Sequence, residues 1–503
     1  MSMKSRRAFL RNAAVAAPAV STIWSQRGAC GIDPRIQHIV VLMLENRSFD
    51  HMLGFTFQGN PKVKGYPADL TNLPPNLDPT TEKPVWPSPE SEYAGDFYPD
   101  PGHDFLDVRL QLFNTTTPAK EAEPNMRGFV RSYLEVCRAP QNARADVNPA
   151  MQCLKIMRGY ERRCVPVLSK LAEKYAVCDH WFCSVPAATL PNRKFVHAGT
   201  SRGQLDLSVA EFNVSPTIYE VLDGDNVSSV IYAEGWTAAA TFDNLIKYQD
   251  RFFGTLDDFY QDCAENRLPA YSFLEPRYAS GLTDGVFRPQ NDQHPDSDVQ
   301  TGEELILSVY QAIRANPKVW NSTMLVIVYD EHGGLFDHVC PPITVAPDKS
   351  RDDYFPDFGF DRLGPRVPAV VVSAYTREGT VLHDVFDHTS IIATARLLLT
   401  GRCNDQALGC RAQKAKTFEC ALNIPPGKPR TDSVQFDPFC ANRHLHVQKQ
   451  PNHLQLKWRD FAKHVNSKLP RSQRSSIDPD TLHTDQDIQR YLESVYAGVR
   501  GRR

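Results

Sequence analysis

The chain has 503 residues, 41% hydrophobic, 23% charged and 10% aromatic, enough to bury a sizeable core. A formal net charge of −3 gives no electrostatic case for nucleic acid and only a weak one for a strongly anionic membrane. No run of about 18 apolar residues occurs, so no transmembrane span is expected and membrane-surface contact would be transient and made by loops.

At the N-terminus, Ser5-Arg6-Arg7-Ala8-Phe9-Leu10-Arg11 precedes a short, Ala-rich apolar stretch over 13–23. Paired arginines before such a stretch look like a twin-arginine signal peptide over 1–30, with a plain basic tail as the alternative. The signal reading predicts an exported protein, periplasmic or secreted, handled by the twin-arginine export machinery. Ala29-Cys30 lacks an upstream Leu, so lipidation is not expected. The twelve cysteines form no C-x-x-C array, which disfavours a zinc ribbon. In an oxidising compartment some would pair, and Cys403, Cys410, Cys420 and Cys440 are the candidates, with connectivity open.

Continuous apolar runs at 36–44, 228–232, 270–274, 324–329 and 367–373 predict strands buried on both faces of a parallel sheet. A Pro-rich stretch at 61–101 reads as long surface loops. Leu305, Val309, Ala312 and Ile313 share a face, predicting a helix over 302–316. Another helix is predicted over 387–399, with an acidic first turn. Alternating strands and helices predict an α/β fold, one open domain over 31–440, followed by a polar, helical extension over 441–503.

In such sheets, ligands bind beyond the carboxyl ends of the strands. The first run ends in Glu45-Asn46 and continues to His51; the 324–329 run ends in Asp330-Glu331-His332, with Asp337-His338 following. Acidic groups delivered together at two strand ends call for a counter-charge, most simply one divalent metal ion, its identity (Ca, Mg, Mn or Zn) open. Either motif alone is also what a solvated turn looks like; the pair favours the cation. Thr189 suits a helix N-cap with Pro191 in the first turn. Its hydroxyl is either a cap or, beside a cation and free helix amides, a nucleophile. His103 and His294 lie in polar loops and are able to bind a phosphoryl oxygen or protonate a leaving group.

The strings IVVLMLENRSFDHMLG, DHWFCSVPAATLPNRKFVHAGTSRG, NDQHPDSDVQTGEELI, VIVYDEHGGLFDHVCPP, RLGPRVPAVVVSAY and DHTSII occur in this order between 36 and 399. Together they resemble the bacterial phospholipase C and acid phosphatase superfamily, which includes plant non-specific phospholipases C. The resemblance implies an alkaline-phosphatase-like core and one metal ion held by Glu45, Asn46 and Asp330, with Glu331 in the same acidic pair. It implies Thr189 as nucleophile touching the metal, and His103 and His294 on the phosphoryl group. His332, Asp337 and His338 would orient the ligands. A phospholipase C would cleave phosphatidylcholine-like diesters to diacylglycerol and a phosphorylated head group; the NDQHP form is closer to lipase-type members. An acid phosphatase (phosphomonoesterase) on the same site is the alternative. An exported binding protein without catalysis would have a damaged site, whereas Glu45, Asn46, Thr189, His294 and Asp330 are all present. Sulfatase chemistry, which needs Cys or Ser at this place, is disfavoured by Thr189.

Overall fold

A computed structural model describes residues 33–93, 97–207, 216–283, 286–402, 406–439 and 450–501. The signal segment over 1–30, Cys403 and Cys440 lie outside the described residues. Eight strands among the described residues form one central sheet: β1 His38–Leu44, β2 Ala176–Cys178, β3 Ser229–Ala233, β4 Phe253–Thr255, β5 Tyr271–Glu275, β6 Thr323–Tyr329, β7 Ala369–Ser373 and β8 Thr380–Leu382. Their order across the sheet is β8-β2-β7-β6-β1-β5-β3-β4.

The aliphatic strings HIVVLML of β1 and TMLVIVY of β6 explain their central place. Nearly every side chain of both is buried, as a strand covered on both faces requires. β1 runs parallel to β6 and to β5, while β7 runs antiparallel to both of its neighbours, so the sheet is mixed and mostly parallel. The predicted runs became β1, β3, β5, β6 and β7. The three-residue strands β2, β4 and β8 are too short to leave a run in the sequence.

Helices flank the sheet. Among them are α1 Phe105–Phe113, α2 Thr189–Ala198, α3 Val299–Ala315, α4 His453–Lys468 and α5 Asp485–Arg500. α3 starts three residues before the predicted point because Asp298 caps it, accepting from the Gln300 amide at 2.9 Å. The helix predicted over 387–399 spans Thr389–Thr400. Asp387 lies just ahead of it and accepts from the Thr389 amide at 3.1 Å, so the acidic residue precedes the first turn rather than sitting in it.

α4 and α5 join the same hydrophobic core as the sheet. Trp458 on α4 packs against Trp236 and Tyr278, ring centroids 6.4 and 5.3 Å away. Cys410 and Cys420 carry free thiols, so the expected pairing is not formed within the described residues. Cys420 neighbours the buried Cys178 instead. No helix among the described residues is long and apolar enough to cross a membrane.

Candidate active site

The site grows out of one register. Leu44 of β1 pairs with Tyr329 of β6, so the residues that follow each strand emerge side by side. The Asp330 amide continues the ladder onto the Leu44 carbonyl at 3.1 Å. The Asn46 amide turns back onto Asp330 Oδ1 at 2.9 Å, with the Glu331 amide on the same oxygen at 2.7 Å. Asn46 makes that turn in the left-handed region (φ 55°), which asparagine tolerates better than most residues. Gly333 (φ +63°) passes so near that an added Cβ would lie 2.1 Å from the Asn46 carbonyl oxygen.

α2 meets these strand ends head-on. Thr189 is its first residue and Ala188 holds the N-cap, so the hydroxyl does not cap the helix. It points across to the end of β1, 3.3 Å from Glu45 Oε2 and 3.1 Å from Asn46 Oδ1. One helical turn on, the guanidinium of Arg193 meets three carboxylates: Glu45 at 2.6 Å, Glu275 at 2.5 Å and Asp330 at 3.2 Å. All of these side chains are fully buried.

The charges do not balance. Glu45, Glu275 and Asp330 share one guanidinium, and Glu331 adds its charge beside Asp330. Burial, together with Asp330 and Asp292, pushes the Glu45 carboxyl well above its usual range despite Arg193. Burial and Glu331 likewise raise Asp330. Glu331 Oε1 and Asn46 Nδ2 are buried without a hydrogen-bond partner. A surplus of buried carboxylate around converging oxygens fits a hard divalent cation, which Glu45, Asn46, Asp330 and Thr189 could hold.

The histidines form the other half. His294 is fully buried, its Nδ1 2.8 Å from Asp296 and its Nε2 3.4 Å from Asp100. Burial would lower its pKa, but Asp100 and Asp296 outweigh that and hold it well above the usual range, so the imidazole is cationic at neutral pH. For His103 burial is likewise outweighed, by Glu331, Asp100 and Asp104. The loop carrying His294 is fixed to the β1 end. The Glu45 amide donates to the Asp292 carbonyl at 2.9 Å, and Arg47 Nε donates to the Gln293 carbonyl at 2.6 Å. His103, Asp100 and Asp296 line a cleft of about 1130 Å³, whose rim includes Tyr98 and His453. Thr189 is fully buried and does not line it.

Of the remaining predicted residues, His332 stands beside Glu331 (3.2 Å) and its Nε2 lies 2.7 Å from Gln111 Oε1 on α1. Gln111 in turn donates to the Gly102 carbonyl at 2.7 Å, beside His103. Asp337 and His338 gather elsewhere, around Asp50 and Arg366. Arg366 donates to both carboxylates at 2.9 Å, and His338 Nδ1 lies 2.6 Å from Asp50. Asp50, Asp337 and His338 form one candidate metal-binding cluster by proximity, and Asp179, His180 and His383 form another. The guanidinium of Arg366 already neutralises the former. Apart from these, Tyr232 of β3 is a core residue, its hydroxyl donating to Asp262 at 2.7 Å.

Sequence reasoning passed over Arg193, Glu275, Asp100, Asp296 and His388. Arg193 carries a signal, lying four residues after Thr189 on one helical face. Glu275 carries another, since it follows the apolar run at 270–274 as Glu45 and Asp330 follow theirs. His388 donates from Nε2 to the Asp330 carbonyl at 2.6 Å, burial keeping it below the usual histidine range and hence neutral.

Comparison with known proteins gives the family of the chain. The profile of the Phosphoesterase family matches residues 36–397, from just before β1 into the Thr389–Thr400 helix. Non-specific phospholipase C3 of Arabidopsis thaliana is 35% identical over 429 residues, covering 81% of this chain and 77% of that protein. Phospholipase C B of Mycobacterium tuberculosis is 28% identical over 470 residues, covering 79% and 80%. Among solved structures, a protein in the alkaline phosphatase superfamily from Vibrio parahaemolyticus overlaps at a TM-score of 0.31 and 12% identity, over 55% of this chain and 76% of that one. That likeness is slight, and the sheet order itself defines the fold. The class is thus that of a phosphoric ester hydrolase. Within it, the chain belongs to the Phosphoesterase family.

Proposed function

We propose that the protein is a phospholipase C-type phosphodiesterase, with Thr189 as nucleophile and one divalent cation held by Glu45, Asn46, Asp330 and Thr189. The observation that carries this is the Thr189 hydroxyl itself. It is buried at a helix start and set between Glu45 Oε2 and Asn46 Oδ1 instead of capping the helix. When bound, the cation lowers the hydroxyl pKa and offsets phosphoryl charge. Glu45 Oε2 accepts the hydroxyl hydrogen bond, takes that proton as the oxygen turns to phosphorus, and returns it when Thr189 leaves. The Thr189 Oγ1–phosphorus bond forms as the phosphorus–alcohol bond breaks in line. His294, cationic beside Asp100 and Asp296, gives its Nε2 proton to the departing oxygen. The neutral imidazole then takes a proton from water as that water displaces Thr189. His103 and the start of α2 bind the phosphoryl oxygens.

Diester specificity is supported by the two phospholipase C relatives and by the size of the cleft outside His103. The reading also makes residues 1–30 an export signal. Purified protein, Thr189→Ala and a chelator-treated sample are assayed on a chromogenic phosphocholine diester beside the matching monoester. Diester turnover should fall by several orders of magnitude with Thr189→Ala and with chelation. Turnover of the monoester alone moves the assignment to a phosphatase, and turnover surviving Thr189→Ala removes the covalent route.

A further inference from the structure

Beyond the Thr189 site, a second group of polar side chains meets at the sheet edge. β8 pairs with β2 in parallel, Leu382 opposite Cys178, so the next residues, His383 and Asp179, leave the sheet side by side. The Asp179 amide extends that ladder onto the Leu382 carbonyl at 3.2 Å. Asp179 is only 1% exposed and firmly seated. Its Oδ2 accepts from the Lys64 amide at 2.8 Å, and Arg366 donates to its carbonyl at 2.8 Å. Two imidazoles face the fixed carboxylate. His180 Nδ1 is 2.8 Å from Oδ1, and His383 Nδ1 is 3.1 Å from each oxygen. One ligating atom from each of the three residues lies within 4.8 Å of the others. Arg366, which occupies the Asp50–Asp337 pair, reaches Asp179 at its carbonyl and leaves the carboxylate to the imidazoles.

We propose that Asp179, His180 and His383 bind a transition-metal dication of zinc type, clipping the edge strand β8 to β2. Two imidazole nitrogens and a carboxylate oxygen are zinc's ligand set, and three protein ligands leave a fourth position for water. Bond lengths of about 2.0–2.2 Å place tetrahedral ligand atoms roughly 3.3–3.5 Å apart. The observed separations therefore open by a few tenths of an ångström, within reach of side-chain rotation. Each neutral imidazole then carries its proton on Nε2. The His383 side chain is 62% exposed and provides the entry path.

The test uses the full chain, stripped by chelation and dialysed, then titrated with Co²⁺ and Zn²⁺ beside His383→Ala and the double variant His180→Ala/His383→Ala. The wild type should take up one more equivalent of Zn²⁺ than the double variant. It should also show a tetrahedral Co²⁺ absorption band that Zn²⁺ displaces and both variants lack. His383→Ala should bind at least about 10-fold more weakly, since losing even an outer partner of a ligand has that effect. Phosphoester hydrolysis should be unchanged in both variants. Because His383 is exposed, the single variant keeps its fold and decides the matter if the double variant does not. Equal affinity and equal uptake in the wild type and His383→Ala across the titration, or no uptake by either, overturns the proposal.

Discussion

His294 shows how two neighbouring carboxylates set the chemistry of a buried imidazole. Asp100 and Asp296 stabilise the imidazolium against the pull of burial. A group acting as an acid in its charged form loses activity as pH rises through its pKa. Removing one supporting carboxylate lowers that pKa, so Asp100→Asn should move the alkaline limb of the kcat/KM profile to lower pH. A limb that stays in place would free His294 of the acid role. Arg193 is the second decisive residue. It meets Glu45, Glu275 and Asp330 at once, all fully buried. Taking away the partner of a buried ion pair destabilises by about 3–5 kcal/mol. Arg193→Ala should show this as a lower urea midpoint. Arg193→Lys should fall between, since an ammonium cannot fork across three carboxylates.

Among the elements, α3 does more than cover the sheet. Its Glu303 reaches the start of the Pro166–Lys174 helix, where Oε2 accepts from the Val167 and Leu168 amides at 2.6 and 3.0 Å. Burial pushes this carboxyl up to about 7 even though those amides favour the anion. A raised folded-state pKa means the stability it contributes is complete below about pH 4.5 and lost as pH climbs through 7. The change is on the order of 3 kcal/mol. Glu303→Gln keeps an oxygen for both amides and cannot ionise. Denaturant midpoints at pH 5 and 7.5 should therefore differ less in Glu303→Gln than in the wild type. Equal pH dependence in the two would show that Glu303 ionises freely in the folded protein. The β1–β6 pair is the other element on which the site turns, because parallel pairing brings Glu45 and Asp330 to one level.

For the whole molecule, long apolar strands and the acidic residues behind them were legible in the sequence, because a fully buried strand must be apolar throughout. Glu45, Asn46 and Asp330 followed from that rule. Glu275 follows from it equally, once the run at 270–274 is extended by one residue. What could not be read were contacts set by tertiary packing: Asp100 and Asp296 flanking His294, Asp337 turning to Arg366 and His338 to Asp50. The edge strands β2, β4 and β8 escaped because three residues carry no period. Resemblance supplied the roles of the site residues, which spacing alone left open between cap and nucleophile for Thr189.

The segment before α4 adds something to the cleft that chain order hides. Gln450, Pro451, Asn452 and His453 form part of its wall, and Asn452 Nδ2 donates to Asp296 Oδ2 at 3.0 Å, the carboxylate that holds His294. A ribosome making this chain has therefore laid down every other wall before the last one exists. The cleft has no complete wall until the chain past residue 453 has been made, and any ligand that needs this wall must wait for it.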